Sequence, residues 1–406
     1  MTLNVPISNH NFFAFLWHAL FLALANNFMD IDTVLPAMLL DAGGNSILLG
    51  FLTAVMIGSG QVSQLVFAPF LSKKTEKKWY LLAGINLRII SLIFLAVLFA
   101  TAQSLKGPVF IPLIFLLITV FSVSGGFSNI NYVDILGKSI LHNQRKHFFS
   151  TKQIVTSVGV LMSAYFARKI LQNFNFPQNY TLLFTMAGVL LAIASLGFWK
   201  IREEKTDPSQ INSINHYFSS ILTEIKSNKR LKHYLLVLNF QGVMLSLIPF
   251  MVLYAKSELG QGNAPVGNFL FLKVSGSILA GGILYFFSKK LKYRYLLYVN
   301  SISALIIVLL VLLVPKELLF PSVFLLAGLV FAFYTMTIGG VLLEVTTTQN
   351  RALYTGISGA GNLLPGIYPI IGGWMVNFYG FTVFFSMTFM ILTFSLFFIY
   401  KLNCQH

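Results

Sequence analysis

Twelve apolar runs, each about as long as the ~20 residues that an α-helix needs to cross the ~30 Å hydrocarbon layer, dominate this chain. Their approximate limits are 13–40, 46–71, 79–101, 109–131, 150–170, 180–200, 232–256, 264–287, 295–314, 320–343, 353–376 and 380–401. In lipid every backbone N–H and C=O must be bonded internally, so runs of this length become helices; barrel strands would instead show ~10-residue alternation. With 56% hydrophobic residues, 10% charged residues and a mean hydropathy of +0.77, the 45.3 kDa chain has too little polar surface to coat a soluble globule. The expected fold class is an all-α membrane protein.

The runs fall into two copies. Phe70-Leu71-Ser72-Lys73-Lys74 followed by Trp79-Tyr80-Leu81-Leu82 returns as Phe286-Phe287-Ser288-Lys289-Lys290 followed by Tyr295-Leu296-Leu297, a shift of 216 positions (286 minus 70). Gly44-Asn45 and Gly262-Asn263 precede the two segments at similar spacing. Arg145 comes before span 5 as Arg351 comes before span 11, and Tyr180-Thr181-Leu182-Leu183-Phe184 opens span 6 as Phe381-Thr382-Val383-Phe384-Phe385 opens span 12. A period this long suits a parallel duplication of a six-helix unit rather than a solenoid. The expected organisation is an N-terminal bundle over 1–200, a central loop over 201–231 and a C-terminal bundle over 232–406.

Lys and Arg set the orientation, because loops rich in them stay in the cytoplasm. With both termini inside, 21 of the 28 fall on that side, among them Lys73, Lys74, Lys77, Lys78, Lys138, Arg145, Lys146 and Lys152. The opposite side holds Lys106, Arg168, Lys169, Lys256 and Lys316. The net charge of +16 is thus explained by topology and anionic lipid headgroups, and no nucleic-acid partner is implied. The expected location is the cytoplasmic (inner, plasma) membrane. Residues 1–10 carry no Lys or Arg, so no cleavable leader is visible. The lone Cys404 excludes a disulfide framework. In the central loop, Ile214, Tyr217, Phe218, Ile221, Leu222 and Ile225 recur at helical spacing, which predicts an amphipathic helix along the inner face, a tether or a regulatory element.

Twelve spans in two six-span halves, both ends inside and a central cytoplasmic loop resemble the major facilitator superfamily across nearly the whole chain. In that family the loop after span 2 reads roughly Gly-x-x-x-Asp-Arg-x-Gly-Arg-Arg. Here Ala68 stands at the first glycine and Ser72 at the aspartate, with Lys73, Lys74, Lys77 and Lys78 as the basic cluster. The stretch Asn362-Leu363-Leu364-Pro365-Gly366-Ile367-Tyr368-Pro369 through Gly372-Gly373-Trp374 is similar to the family's Gly/Pro-rich span 11. Its small residues let helix backbones approach, and its prolines leave carbonyls unpaired, so Pro365, Gly366 and Pro369, with Pro36 in span 1, are candidate hinges; static close packing is the other reading. The resemblance implies two six-helix bundles with pseudo-twofold symmetry that expose a central cavity alternately to either side. Lys73, Lys74, Asp134, Arg145, Glu344 and Arg351 are the candidate gating residues, the acids pairing with Arg145, Arg351 or neighbouring cations or else serving as exposed charges of small effect.

Charged groups within spans cost ~2.5–3.5 kcal/mol each on insertion scales and call for a partner, a wet cavity or a function. The four are Asp30, Asp32, Arg88 and Lys273. On a continuous helix Asn26, Asp30 and Thr33 share one face and Asp32 points the other way. The expectation is that Asp30 with Asn26 faces the cavity and binds a proton or a cationic or hydroxyl-bearing substrate, with Lys273 as counter-charge. The alternative is that Asp30 and Lys273 merely neutralise each other. Arg88 is expected to pack against Asn86 or a carbonyl. Asn239, Gln241 and Tyr334 are secondary contacts for a ligand, or interhelical bonds worth ~0.6–2 kcal/mol each.

An enzyme would want paired carboxylates, a nucleophile with its base, or clustered metal ligands, and the sequence offers none; neither a metal nor a cofactor is expected. No phosphate-binding Gly-rich loop is visible either. The reading is a secondary transporter of a small solute, working as a monomer and coupled to protons. A sensor or scaffold that kept a transporter fold is the alternative, and a membrane-embedded enzyme the more remote one.

Overall fold

The computed structural model describes residues 5–71, 74–102, 107–203, 219, 223–287, 292–313, 320–345 and 361–402. Within these the protein is helical: α1 Val5–Asn26, α2 Val34–Asp41, α3 Ser46–Leu71, α4 Lys78–Ala100, α5 Gly107–Ser139, α6 His142–Asn173 and α7 Gln178–Trp199. They are followed by α8 Lys229–Gly242, α9 Leu247–Ser257, α10 Asn263–Phe287, α11 Tyr293–Leu313, α12 Phe320–Val345 and α13 Leu363–Leu402. The α13 segment is two helices joined at Gly380, whose φ of 81° and ψ of 174° no helix accommodates. Only glycine takes that geometry without strain. Counted across the breaks, the described residues lay out twelve spans.

Large apolar side chains remain exposed on these helices, for instance Phe13 at 70%, Phe286 at 79% and Phe394 at 60%. In water such a surface would aggregate; in a bilayer it is the solvent-matched surface, since lipid tails are as apolar as the side chains.

Both first spans are broken at corresponding places. In the first copy α1 ends at Asn26, a 3-10 turn covers Asn27–Met29, Asp30 is extended (φ −57°, ψ 124°), and α2 restarts at Val34. In the second, α8 ends at Gly242, a 3-10 turn covers Val243–Ser246, and α9 restarts at Leu247. The two turns begin 216 positions apart (243 minus 27), the period of the sequence repeat. Pro36 and Pro249 each occupy the third position of the restarting helix, where a missing N–H leaves no bond unmade. The prolines therefore permit a new helix start at a point where a continuous helix would lose a bond.

The chain forms two compact units: Met1–Asp30 with Ser59–Ile214, and Ile31–Gly58 with Asn215–His406. The first unit holds α1 and α4 to α7. Its broken end is stitched by Asn27, whose Nδ2 donates to the Val160 carbonyl (2.7 Å) and Ser163 Oγ (2.8 Å) of α6. Below α4 the Glu203 carboxylate accepts from the N–H groups of Lys77 (2.9 Å) and Lys78 (2.8 Å). These are donors that the first turn of a helix leaves unpaired. Burial still raises the Glu203 carboxyl above its ordinary range, the bonds from Lys77 and Lys78 acting against it.

The second unit contains α8 to α13 together with α2 and the first half of α3. There the restarted helix α2 is tied down twice, by a buried ion pair of Asp32 with Lys273 and by Asp41 with Lys256 (2.6 Å), whose Nζ also donates to Asn263 (2.9 Å). At Gly50 and Gly373, α3 and α13 touch: a Cβ on Gly50 would collide with the Pro369 carbonyl, and one on Gly373 with that of Ser46. The close helix approach expected at Gly373 is therefore present, and its partner is span 2.

Candidate functional site

The first unit contains a cavity of about 480 Å³. Its wall is drawn from five helices: His18, Leu22 and Asn26 from α1; Ile85 and Arg88 from α4; Gly125, Ser128, Asn129 and Tyr132 from α5; Lys152, Thr156 and Val160 from α6; and Phe198 from α7. Asn26 enters it as the last residue before the break in α1. Among the described residues two cations line it and no carboxylate does.

Arg88 is the less satisfied of the two. Its guanidinium lies 4.4 Å from the centroid of the Phe121 ring, and its buried Nε has no hydrogen-bond partner. It does not bond to Asn86 or to a carbonyl among the described residues, so the packing role expected for it gives way to a place on the cavity wall. Lys152 counts with the cytoplasmic-side cations, at the start of the run 150–170. It belongs to α6, lines the cavity, and donates to the hydroxyl of Tyr132 at 2.9 Å. His18, buried, sits with Nδ1 3.2 Å from the Ala194 carbonyl and its ring 4.1 Å from that of Phe198. A carbonyl partner requires the proton on Nδ1.

Helical periodicity names Lys273 as the counter-charge of Asp30 and turns Asp32 away from it. Lys273 pairs with Asp32, both side chains almost fully buried (8% and 7% exposed). The reason is backbone geometry. Because the helix stops at Asn26 and restarts at Val34, Asn26, Asp30 and Thr33 do not share a helical face, and the turn directs Asp32 to α10. Asp30 is half-buried at the extended residue of the break.

The other polar residues named from sequence are engaged inside the second unit. Asn239 donates to the carbonyls of Leu235 (2.8 Å) and Gly361 (2.6 Å) and accepts from the N–H of Leu364 (2.8 Å), capping α13. Gln241 donates to the Leu297 carbonyl and Ser301 Oγ, both at 2.9 Å. Tyr334 donates to the Leu238 carbonyl at 3.3 Å. These bonds join α8 to α11, α12 and α13, which is the packing alternative for all three.

Of the gating candidates, Asp134 pairs with Lys77 (3.1 Å) and with Lys138, not with Arg145. Arg145 instead donates to the carbonyls of Gly137 (2.6 Å) and Ile140 (3.3 Å), closing the end of α5. A cation at a helix C-terminus meets its negative dipole, so carbonyls outbid the nearby carboxylate. Lys74 stands 4.8 Å over the Phe70 ring. Lys73, Arg351, the side chain of Glu344, Cys404 and most of the proposed linker helix lie outside the described residues. The hinge candidates Pro365 and Pro369 are buried in α13, and Pro36 is the third residue of α2. The pair Asp41–Lys256 was missed: Lys256 reads in sequence as one more loop lysine, and nothing local marks a partner 215 positions away.

Among known proteins the fold has many counterparts. The nucleoside transporter NupG superposes with a TM-score of 0.70 over 97% of this chain and 98% of its own at 15% identity. A bacterial homolog of the human lysosomal transporter Spinster, in an inward-facing and unoccupied conformation, gives 0.68 over 98% and 97% at 12% identity. The Escherichia coli xylose transporter XylE, inward open, gives 0.66 over 98% and 96% at 12% identity. At these identities the likeness concerns the fold alone. No curated protein sequence matches the chain. The profile of the Major Facilitator Superfamily, however, matches residues 16–357, most of the chain. With its twelve spans in two repeated halves and its polar cavity, the chain belongs to the Major Facilitator Superfamily, a family of multi-pass membrane transporters.

Proposed function

We propose that the protein is a secondary transporter that carries a small solute through the cavity of its first unit by alternating access, coupled to protons at Asp30. One observation carries this reading. The first span is interrupted between Asn26, which lines the cavity, and Asp30, the extended residue beyond it. An interrupted helix can place a carboxyl group where water reaches it inside the membrane, and a charge is otherwise costly to keep there. A carboxyl there binds or releases a proton as water reaches it, and that event is linked to the state of the solute site next to it.

Alternating access also needs contacts that are made in one state and released in another. The pairs Asp32–Lys273 and Asp41–Lys256 suit this role, because they fasten a short segment, 31–58, whose chain neighbours on both sides belong to the other unit. Placing both termini in the cytoplasm follows the distribution of Lys and Arg, and the inner membrane is the location that this distribution supports.

The test is uptake in proteoliposomes under an imposed pH gradient. A solute found by such a screen should accumulate with wild-type protein, and Asp30→Asn should abolish gradient-driven accumulation while still inserting and eluting as a single species. Normal gradient-driven accumulation by that variant would refute Asp30 as the coupling group. Flux that ignores the gradient altogether would remove proton coupling from the reading.

A further inference from the structure

We propose, resting on the transport reading above, that the solute is an anion, and that its carboxylate or phosphoryl oxygens dock on the guanidinium of Arg88 with Lys152 as the second cation. A guanidinium stays charged in any protein environment. In a span it is therefore a permanent cost that something must offset. Elsewhere in this chain the offset is visible: Lys273 has Asp32 and Lys256 has Asp41. Arg88 has no hydrogen bond or ion pair among the described residues, only the face of Phe121, and its Nε is buried and unpartnered. Contact with a ring face is worth ~0.5–2 kcal/mol, too little to replace an anion.

The cavity wall supplies the rest. Its second cation, Lys152, is bonded to a neutral phenol, and no acidic side chain among the described residues lines the space. A cleft with charge of one sign between low-dielectric walls concentrates the field and draws a counter-ion. The Arg88 guanidinium sits over the Phe121 ring, and a guanidinium presents a planar fork of N–H donors that matches two oxygens of one carboxylate or phosphoryl group. Asn26, Asn129 and Ser128 add neutral hydrogen-bonding groups for the remainder of the molecule. A volume of about 480 Å³ is in the range of small-ligand sites.

The experiment uses full-length protein in detergent and follows thermal unfolding with succinate, citrate and inorganic phosphate at concentrations up to about 50 mM, with succinamide as the uncharged partner of succinate, at constant ionic strength. At least one anion should raise the unfolding temperature of wild type by several degrees, with succinamide inactive. Arg88→Gln should remove the shift, Arg88→Lys should retain part of it, and Lys152→Gln should weaken it about tenfold in apparent Kd. The conservative Arg88→Lys guards against a variant that merely misfolds. No anion-specific shift in wild type, or an undiminished shift in Arg88→Gln that still elutes as a single species, overturns the proposal. Vesicle flux separates the two readings: transport of an uncharged solute that these anions do not inhibit leaves the transporter and removes the anion site. Anion-specific stabilisation that depends on Arg88, without flux of any bound anion, leaves the site and removes the transporter.

Discussion

Asp32 and Lys273, 241 positions apart in sequence, meet as an ion pair buried inside the second unit, one from the turn that restarts span 1 and the other from the middle of α10. Taking two charges out of water costs several kcal/mol per ion, and their attraction offsets this only while both are present. Lys273→Met should therefore destabilise the protein by about 3–5 kcal/mol, because it strands a buried carboxylate. The double variant Asp32→Leu with Lys273→Met should recover most of that loss, since a well-packed apolar pair of similar volume is often neutral or better. Thermal unfolding of the two singles and the double gives the coupling; additive effects would mean that the pair contributes nothing as a pair.

The position of Lys273 also depends on the glycine facing it. A Cβ built on Gly328 of α12 would overlap the carbonyl of Lys273, and one on Gly276 of α10 would overlap that of Leu325. Backbone cannot swing aside as a side chain does, so Gly328→Ala must push the helices apart. Overpacking of this kind costs about 1–3 kcal/mol. Gly339 lies on the same helix with nothing within 4 Å of its would-be Cβ, so Gly339→Ala should be neutral or slightly stabilising, alanine being the better helix former by about 1 kcal/mol. Equal melting temperatures for the two variants would count against tight α10–α12 packing.

Much of this architecture is legible in the chain because the relevant forces are local or periodic. Twelve runs of apolar residues announce twelve spans, and the Phe70–Lys74 and Phe286–Lys290 copies announce the duplication, whose period returns in the structure as the spacing of the two helix breaks. The site is less legible for a geometric reason. Helical periodicity predicts which residues share a face only while the helix continues, and α1 stops at Asn26; past that break the pattern gives no sign that Asp32 pairs with Lys273. Pro36 signals a disturbance but not its extent. Charge and topology rules place Lys152 at the cytoplasmic edge of its span, whereas α6 already starts at His142 and carries Lys152 to the cavity wall. Arg88 carried the right signal, an arginine inside a span, but cavities are properties of five helices together and no one of them shows it.

Asn239 offers a discriminating case of a buried amide. Its carbonyl oxygen accepts from the Leu364 N–H at the start of α13, while its NH₂ donates to the Gly361 and Leu235 carbonyls. If capping were its whole contribution, Asn239→Asp would be tolerated, since Asp and Asn cap equally well. Because the amide also donates to two carbonyls, a carboxylate would face both of them with no proton to share. The expected order of stability is wild type above Asn239→Ala above Asn239→Asp, the alanine costing about 1–3 kcal/mol for the groups left unpaired. An aspartate variant as stable as wild type would reduce Asn239 to a helix cap.

The second tie on α2 makes a prediction about dynamics rather than global stability. Lys256 spans Asp41 (2.6 Å) and Asn263 (2.9 Å), with side chains 12% and 18% exposed for the lysine and the aspartate. Partial exposure limits its worth, and a pair of this kind contributes about 1 kcal/mol or less to unfolding. Its effect should instead be concentrated on local opening of Val34–Asp41, a helix of 8 residues held at its other end by the Asp32 ion pair. Lys256→Ala should speed hydrogen exchange of the α2 amides severalfold, with α4 to α7 unchanged, because low-energy openings are local and end where the next packed element begins. The charge swap Asp41→Lys with Lys256→Asp should return the rates toward wild type. Unchanged exchange in α2 after Lys256→Ala would show that packing, not this ion pair, keeps the segment in place, and the role proposed for it in releasing 31–58 during transport would fall with it.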